Sequence, residues 1–302
     1  MKYLKHFPIA LIFLVWAVKT RAQNIFYRGA DLSYLQQLEA NGAVYSENNK
    51  QEDALDIFKN HGVNIVRLRL WYHPKNGYCD LFHTLKMTKR IQQKGMKLLL
   101  DIHYSDTWAD PSHQTKPSAW DNLSFSILKD SVYQYTKRVI TELKAQGTMP
   151  VIVQIGNEVT DGMLWNTGRV GGSYDNKAQW TQFAGLLKAG IQGAKDAAKP
   201  DTISTMIHID QGGNFSACKW FFDNLHQHNV KFDIIGLSYY PWWQGSLSDL
   251  TNNLNQLAAK YNKPIFIAET AYQWTLKWDD NTNNIVGQSS QLLSNYPATV
   301  NG

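Results

Sequence analysis

A chain of 302 residues that is 43% hydrophobic and only 18% charged has the apolar content for a large core and too few charges for a disordered segment or a coiled coil. Its formal charge of +5 is concentrated at the start, because residues 1–22 carry Lys2, Lys5, Lys19 and Arg21 with no acid, which leaves +1 for the rest. That balance gives no electrostatic footprint for nucleic acid, and one globular domain of enzyme size, acting as a monomer, is the default reading.

The first predicted element is an export signal. Lys2 and Lys5 precede the apolar run "FPIALIFLVWAV", too short to span a bilayer comfortably, and Thr20-x-Ala22 offers small residues for cleavage. An uncleaved membrane anchor is the alternative. With cleavage no stable membrane span remains, residues 1–22 are a signal peptide, residues 23–302 form one domain, and the protein is secreted, periplasmic or held at a cell surface. Cys79 and Cys218 are the only cysteines. They either form one disulfide in an oxidising compartment or, as the plainer reading, stay free and half-buried.

A rhythm of short β-rich runs follows: 27–33, 63–71, 96–104, 150–158, 203–210, 232–240 and 263–270. Between them lie helical patterns such as "EDALDIFKNHG", "HTLKMTKRIQQKG", "SVYQYTKRVITELKAQG", "TQFAGLLKAGIQGAKDAA" and "LSDLTNNLNQLAAKYN", with apolar residues three and four apart and several ending in Gly or Asn. Strands alternating with helices predict a parallel α/β sheet. A nucleotide-binding doubly wound sheet is disfavoured, because the first run ends in "GADLSYL" and neither GxGxxG nor GxxxxGK[ST] occurs.

The prediction is therefore a (β/α)₈ TIM barrel, whose site lies at the C-terminal strand ends. The polar residues gather there: Asp31, Arg67 and Arg69, Asp101 and His103, Asn157, His208, Ser238 and Tyr240, expected as substrate ligands, beside the carboxyls Glu158 and Glu269. Pairs two residues apart, such as Arg67/Arg69, Asp101/His103 and Ser238/Tyr240, share one face of a strand. Only seven β-rich runs are legible, so the barrel is expected to lack its eighth strand and helix, as a C-terminally incomplete piece of a longer chain.

Glu158 ends the fourth run and Glu269 the seventh, which sets two carboxylates across the barrel mouth. Either one alone reads equally as a helix cap or salt-bridge acid. As a pair they suit glycoside hydrolysis, where one carboxyl protonates the leaving oxygen and the other attacks the anomeric carbon.

On "GADLSYL", "VRLRLWYHP", "LLLDIHYSDTWADP", "QIGNEVTDGMLW", "SYYPWW" and "IFIAETAY", the chain from about Tyr27 to Gly287 resembles glycoside hydrolase family 53, the arabinogalactan endo-β-1,4-galactanases. The resemblance implies a retaining enzyme acting on β-1,4-galactan, a polysaccharide side chain of pectin, with Glu158 as acid/base and Glu269 as nucleophile. Residues 23–302 would then be its catalytic domain. Asn157 suits a hydrogen bond to the sugar 2-hydroxyl, and Arg67 or Arg69, with Tyr240, would keep Glu269 charged. His103 and His208 read as sugar ligands or as satisfied core groups.

Eleven Trp and fifteen Tyr exceed what a core requires, and flat rings stack on sugar faces. Trp71, Trp108 and Trp243 are the platform candidates, whereas other loop tryptophans would pack onto the barrel. No cofactor is needed for catalysis. In "KWDDNTNNIVG", Asp280 and Asn284 offer oxygens for a structural Ca²⁺, which the resemblance also implies, with an Asx-rich turn as the alternative. Two other functions remain open: another β-1,4-glycanase, mannanase or cellulase, and a non-catalytic carbohydrate-binding barrel.

If that ion is present, a chelator will lower the melting temperature of the full-length protein and millimolar Ca²⁺ will restore it. Superimposable melting curves would return the loop to a polar turn.

Overall fold

A computed structural model describes residues 26–75, 77–273, 275–277, 287–293, 296 and 298. The predicted export signal and the loop bearing Asp280 and Asn284 lie outside these residues.

All seven β-rich runs form strands, each somewhat shorter than its sequence pattern. They are β1 (Gly29–Asp31), β2 (Ile65–Leu70), β3 (Lys97–Ile102), β4 (Ile152–Ile155), β5 (Ser204–Ile209), β6 (Ile234–Ser238) and β7 (Ile265–Glu269). They pair in chain order as one parallel seven-stranded sheet. The main crossover helices are α1 (Ala54–Asn60), α2 (Leu81–Gln93), α3 (Phe125–Ala145), α4 (Lys177–Ala198), α5 (Phe215–Gln227) and α6 (Leu247–Tyr261).

The starts of several helices are fixed by a polar residue just upstream, which satisfies free N–H groups of the first turn. Asp80 accepts from His83 N at 2.8 Å, Asn176 from Gln179 N at 3.1 Å, and Ser246 forms a reciprocal capping box with Asp249. At its other end α6 stops on Asn262 in the left-handed conformation, φ 48°.

The sheet curls on itself. Its period-two alternation sends Val66, Leu68 and Leu70, and Leu98, Leu100 and Ile102, outward into apolar clusters against the helices. The inward set begins with an apolar floor of Ile65, Leu99, Ile152, Met206 and Ile234, one residue from each of β2 to β6. The next inward positions are polar and almost wholly enclosed: Arg67, Asp101, Gln154 and His208. An apolar floor under a polar layer places the titratable groups at the C-terminal ends.

Among the described residues β1 and β7 have no partner on their outer edges, as the count of seven runs predicts. The two strands still approach one another, since the rings of Tyr27 and Phe266 lie 6.1 Å apart across the seam. Along this seam a cavity of about 390 Å³ is lined by residues that include Tyr27, Phe266, Asp31, Arg67, Trp108 and Glu269.

Cys79 and Cys218 are free and buried, deeper than the sequence pattern predicts. No described helix is long and apolar enough to cross a membrane.

Candidate active site

Two backbone devices aim the carboxylates. After β4 the chain turns sharply through Gly156, φ 80°, where an added Cβ would lie 2.6 Å from Val159 Cγ1, and Glu158 itself is left-handed, φ 46°. At β7 strict alternation, with Phe266 and Ala268 packed on the inner floor, would turn Glu269 outward. A register shift intervenes: Leu237 pairs with Ile267 but Ser238 pairs with Glu269. The bulge at Ala268 therefore returns Glu269 to the inside.

Arg67 organises the polar layer. Its guanidinium reaches Asp31 at 2.9 Å, Asp101 at 2.8 Å and Glu269 at 2.9 Å, and it donates to Asn157 Oδ1 at 2.8 Å. Burial is the largest single influence and would raise the Asp31 and Asp101 carboxyls, yet Arg67, joined by Arg69 and Ser33 at Asp31 and by His103 and His208 at Asp101, brings both below their ordinary value. Tyr240 donates to the other oxygen of Glu269 at 3.2 Å. Burial and the Glu269 charge raise the Tyr240 hydroxyl, which keeps its proton for that bond.

Glu158 lies in the opposite environment. Burial first, and the neighbouring Glu269 charge second, push it up to about 8, against a Ser238 hydrogen bond of 2.6 Å and the pull of Arg67. Ser238 Oγ is in turn 2.9 Å from His208 Nε2. Burial and Arg67 hold His208 well below its ordinary value, so that ring is neutral.

Several sequence-predicted substrate ligands need correction. Asp101, His208 and Ser238 are 0% exposed and His103 is 2% exposed, so they support the carboxylates from behind and present no face to a sugar. Both His103 nitrogens are occupied, by Asp101 Oδ2 at 2.9 Å and by the Ala109 N–H at 2.9 Å. Asn157 keeps one of its two side-chain N–H groups beyond the bond to Ala109 O.

Arg69 does not approach Glu269. Its guanidinium stacks on Tyr34, Trp71 and Trp108 at 4.5, 4.8 and 3.9 Å from the ring centroids. This cationic centre stiffens an aromatic wall on which Trp108 is 43% exposed, while across the mouth Trp243 is 57% exposed. Trp120, by contrast, is buried against Tyr72 and Tyr135. Sequence reasoning overlooked Gln154, whose amide contacts Arg67, Asp101, Asn157 and His208. Its signal was the one polar break in the apolar run "VIVQI".

The sequence pattern of glycosyl hydrolase family 53 matches residues 27–302. The chain belongs to this family. A protein of Niallia circulans, described only as uncharacterized, is 46% identical over 93% of this chain and 76% of its own. The arabinogalactan endo-β-1,4-galactanase of Cellvibrio japonicus is 37% identical over 92% of this chain and 73% of its own. The family 53 catalytic domain of Ignisphaera aggregans superposes with a TM-score of 0.81 at 40% identity, covering 88% of this chain and 74% of that one. The fold is thus the α/β TIM barrel of a glycoside hydrolase, seen here through seven of its strands.

Arg67→Met would leave Asp31, Asp101 and Glu269 without their cation. The Arg67–Asp101 pair is the fully enclosed one, and losing one partner of such a pair costs about 3–5 kcal/mol, with little added by the partly exposed Asp31 and Glu269. Denaturant unfolding reads this loss, and an unchanged midpoint would contradict the organising role of Arg67.

Proposed function

We propose that this glycoside hydrolase is an exported, retaining endo-β-1,4-galactanase that cleaves internal β-1,4-galactosidic bonds in the (arabino)galactan side chains of pectin. The observation that carries the reading is the unequal electrostatics of two facing carboxyls. Glu269, bound by Arg67 and Tyr240, is held as an aimed anion. Glu158, pushed up to about 8, holds a proton at neutral pH. The galactanase names of relatives such as the Cellvibrio japonicus enzyme supply the substrate.

In the first step a Glu269 oxygen forms a bond to the anomeric carbon. The bond from that carbon to the glycosidic oxygen breaks, and the oxygen takes the proton of Glu158 as the shortened chain departs. Once Glu269 is an ester its charge is gone, which removes the second-largest cause of the raised Glu158 value. Glu158, now an anion, takes a proton from water while the water oxygen attacks the same carbon and Glu269 leaves. Two displacements at one carbon retain its configuration.

The exposed Trp108 and Trp243 on either side of the mouth suit a chain running through an open cleft, hence internal cleavage. Export rests on the basic and apolar residues 1–22, and a structural Ca²⁺ on the oxygen-rich segment with Asp280 and Asn284. Reducing-sugar release from galactan, but not from mannan or carboxymethylcellulose, separates this reading from the other glycanases. No release from any of the three would favour a binding barrel.

Glu269→Ala should abolish turnover, with azide restoring it as a glycosyl azide of inverted configuration. Glu158→Ala should give an azide product of retained configuration. The reverse assignment of products would exchange the two roles.

The protonated form of Glu158 is the active one in the first step. kcat/KM on galactan should therefore fall as pH rises through about 8. A basic limb unchanged in Glu158→Gln would remove Glu158 from the acid role.

A further inference from the structure

The acid/base residue stands on an unusual piece of chain. Glu158 occupies the left-handed region, φ 46°, a conformation that a residue with a side chain adopts only when its surroundings hold it there. What holds it comes from the end of β5. The Val159 N–H donates to His208 O at 2.9 Å. One residue further, the Thr160 hydroxyl donates to the Asp210 carboxylate and accepts from the Asp210 N–H at 3.4 Å. The loop that carries Glu158 is thereby clipped to the neighbouring strand by a reciprocal pair of hydrogen bonds.

We propose that Asp210, acting through Thr160, is a positioning residue for the proton donor Glu158. The clip has two effects. It fixes the backbone immediately after Glu158, so that the carboxyl points to the glycosidic oxygen. It also sets a second negative charge, after Glu269, beside Glu158. The groups facing Glu158 are Glu269 from β7, Arg67 from β2, Ser238 and Tyr240 from the end of β6, and His208 and Asp210 from β5. Asp161 lies on its own loop, with Arg169 opposing the Asp161 charge. Arg67 is committed to three other carboxylates, and among the described residues no cation pairs with Asp210, so its charge acts on Glu158 uncancelled. Its direction is the one that the donor role needs, since a nearby anion favours the protonated carboxyl.

The inference rests on Glu158 being the acid of the proposed reaction, and the experiment separates the two. pH profiles of kcat/KM are measured on galactan for the full-length wild type, Asp210→Asn, Thr160→Val, Thr160→Ser and Glu158→Gln, with dinitrophenyl β-galactobioside as a substrate whose leaving group needs no proton. Asp210→Asn keeps an acceptor for Thr160 but removes the charge. Its basic limb should move to lower pH by roughly half a unit to one unit. Thr160→Val should lower kcat on galactan about tenfold with far less loss on the aryl substrate, and Thr160→Ser should restore it. Thermal melting accompanies each variant, and a change in melting with no movement of the limb and no difference between substrates would reduce the clip to a structural staple and overturn the proposal. If Glu158→Gln loses the basic limb while Asp210→Asn keeps it unshifted, the positioning role alone falls. If Glu158→Gln leaves the galactan profile intact, the acid assignment falls and the proposal with it.

Discussion

The site depends on one buried guanidinium that serves three carboxylates. Arg67 stands on β2, yet its partners come from β1, β3 and β7, so a single side chain gathers the ends of strands far apart in sequence. One positive charge facing three negative ones leaves the polar layer short of cation. A fourth carboxyl placed there can avoid the deficit by keeping its proton, and Glu158 is that fourth group. What separates Glu269 from Glu158 is thus which carboxyl the cation pairs with.

The same network crosses the seam of the sheet. Between β1 and β7 no strand pairs among the described residues, and the backbone supplies no hydrogen bonds across that gap. The bonds from Arg67 to Asp31 on one side and to Glu269 on the other span it at the level of the site, with Tyr27 and Phe266 in contact below. The catalytic layer therefore holds its geometry through side chains where the ladder is open. The cavity runs along this seam, bordered by the bridge residues Asp31, Arg67 and Glu269, by Tyr27 and Phe266, and by the Arg69, Tyr34 and Trp108 stack.

That stack also bears on the choice between enzyme and binding module. A module that only holds sugars needs the exposed rings and nothing more. Here the rings border two carboxyls in unequal surroundings, one paired with Arg67 and Tyr240 and the other bonded by Ser238, which is backed in turn by the buried His208. Such a buried polar arrangement costs stability unless every member is satisfied, and its presence argues for chemistry at the mouth.

Much of this was legible in the chain alone. Strand–helix alternation specifies a parallel α/β sheet because a helix buries one stripe and a central strand buries both faces. Glu158 and Glu269 at run ends located the site, and the paired polar residues in "VRLRLW" and "LLLDIHY" marked the inward faces. Three decisions belonged to tertiary structure. The bulge at Ala268 reverses the face on which alternation would put Glu269. The division of labour between Arg67 and Arg69, identical in sequence terms, follows from which neighbours each meets, carboxylates for one and aromatic rings for the other. The burial that turned Asp101, His103, His208 and Ser238 from sugar ligands into supports depends on how tightly the curled sheet closes over them. A local pattern states which side chains share a face; the register, the curl and the charge each group finds beside it are properties of contacts between segments that the pattern does not contain.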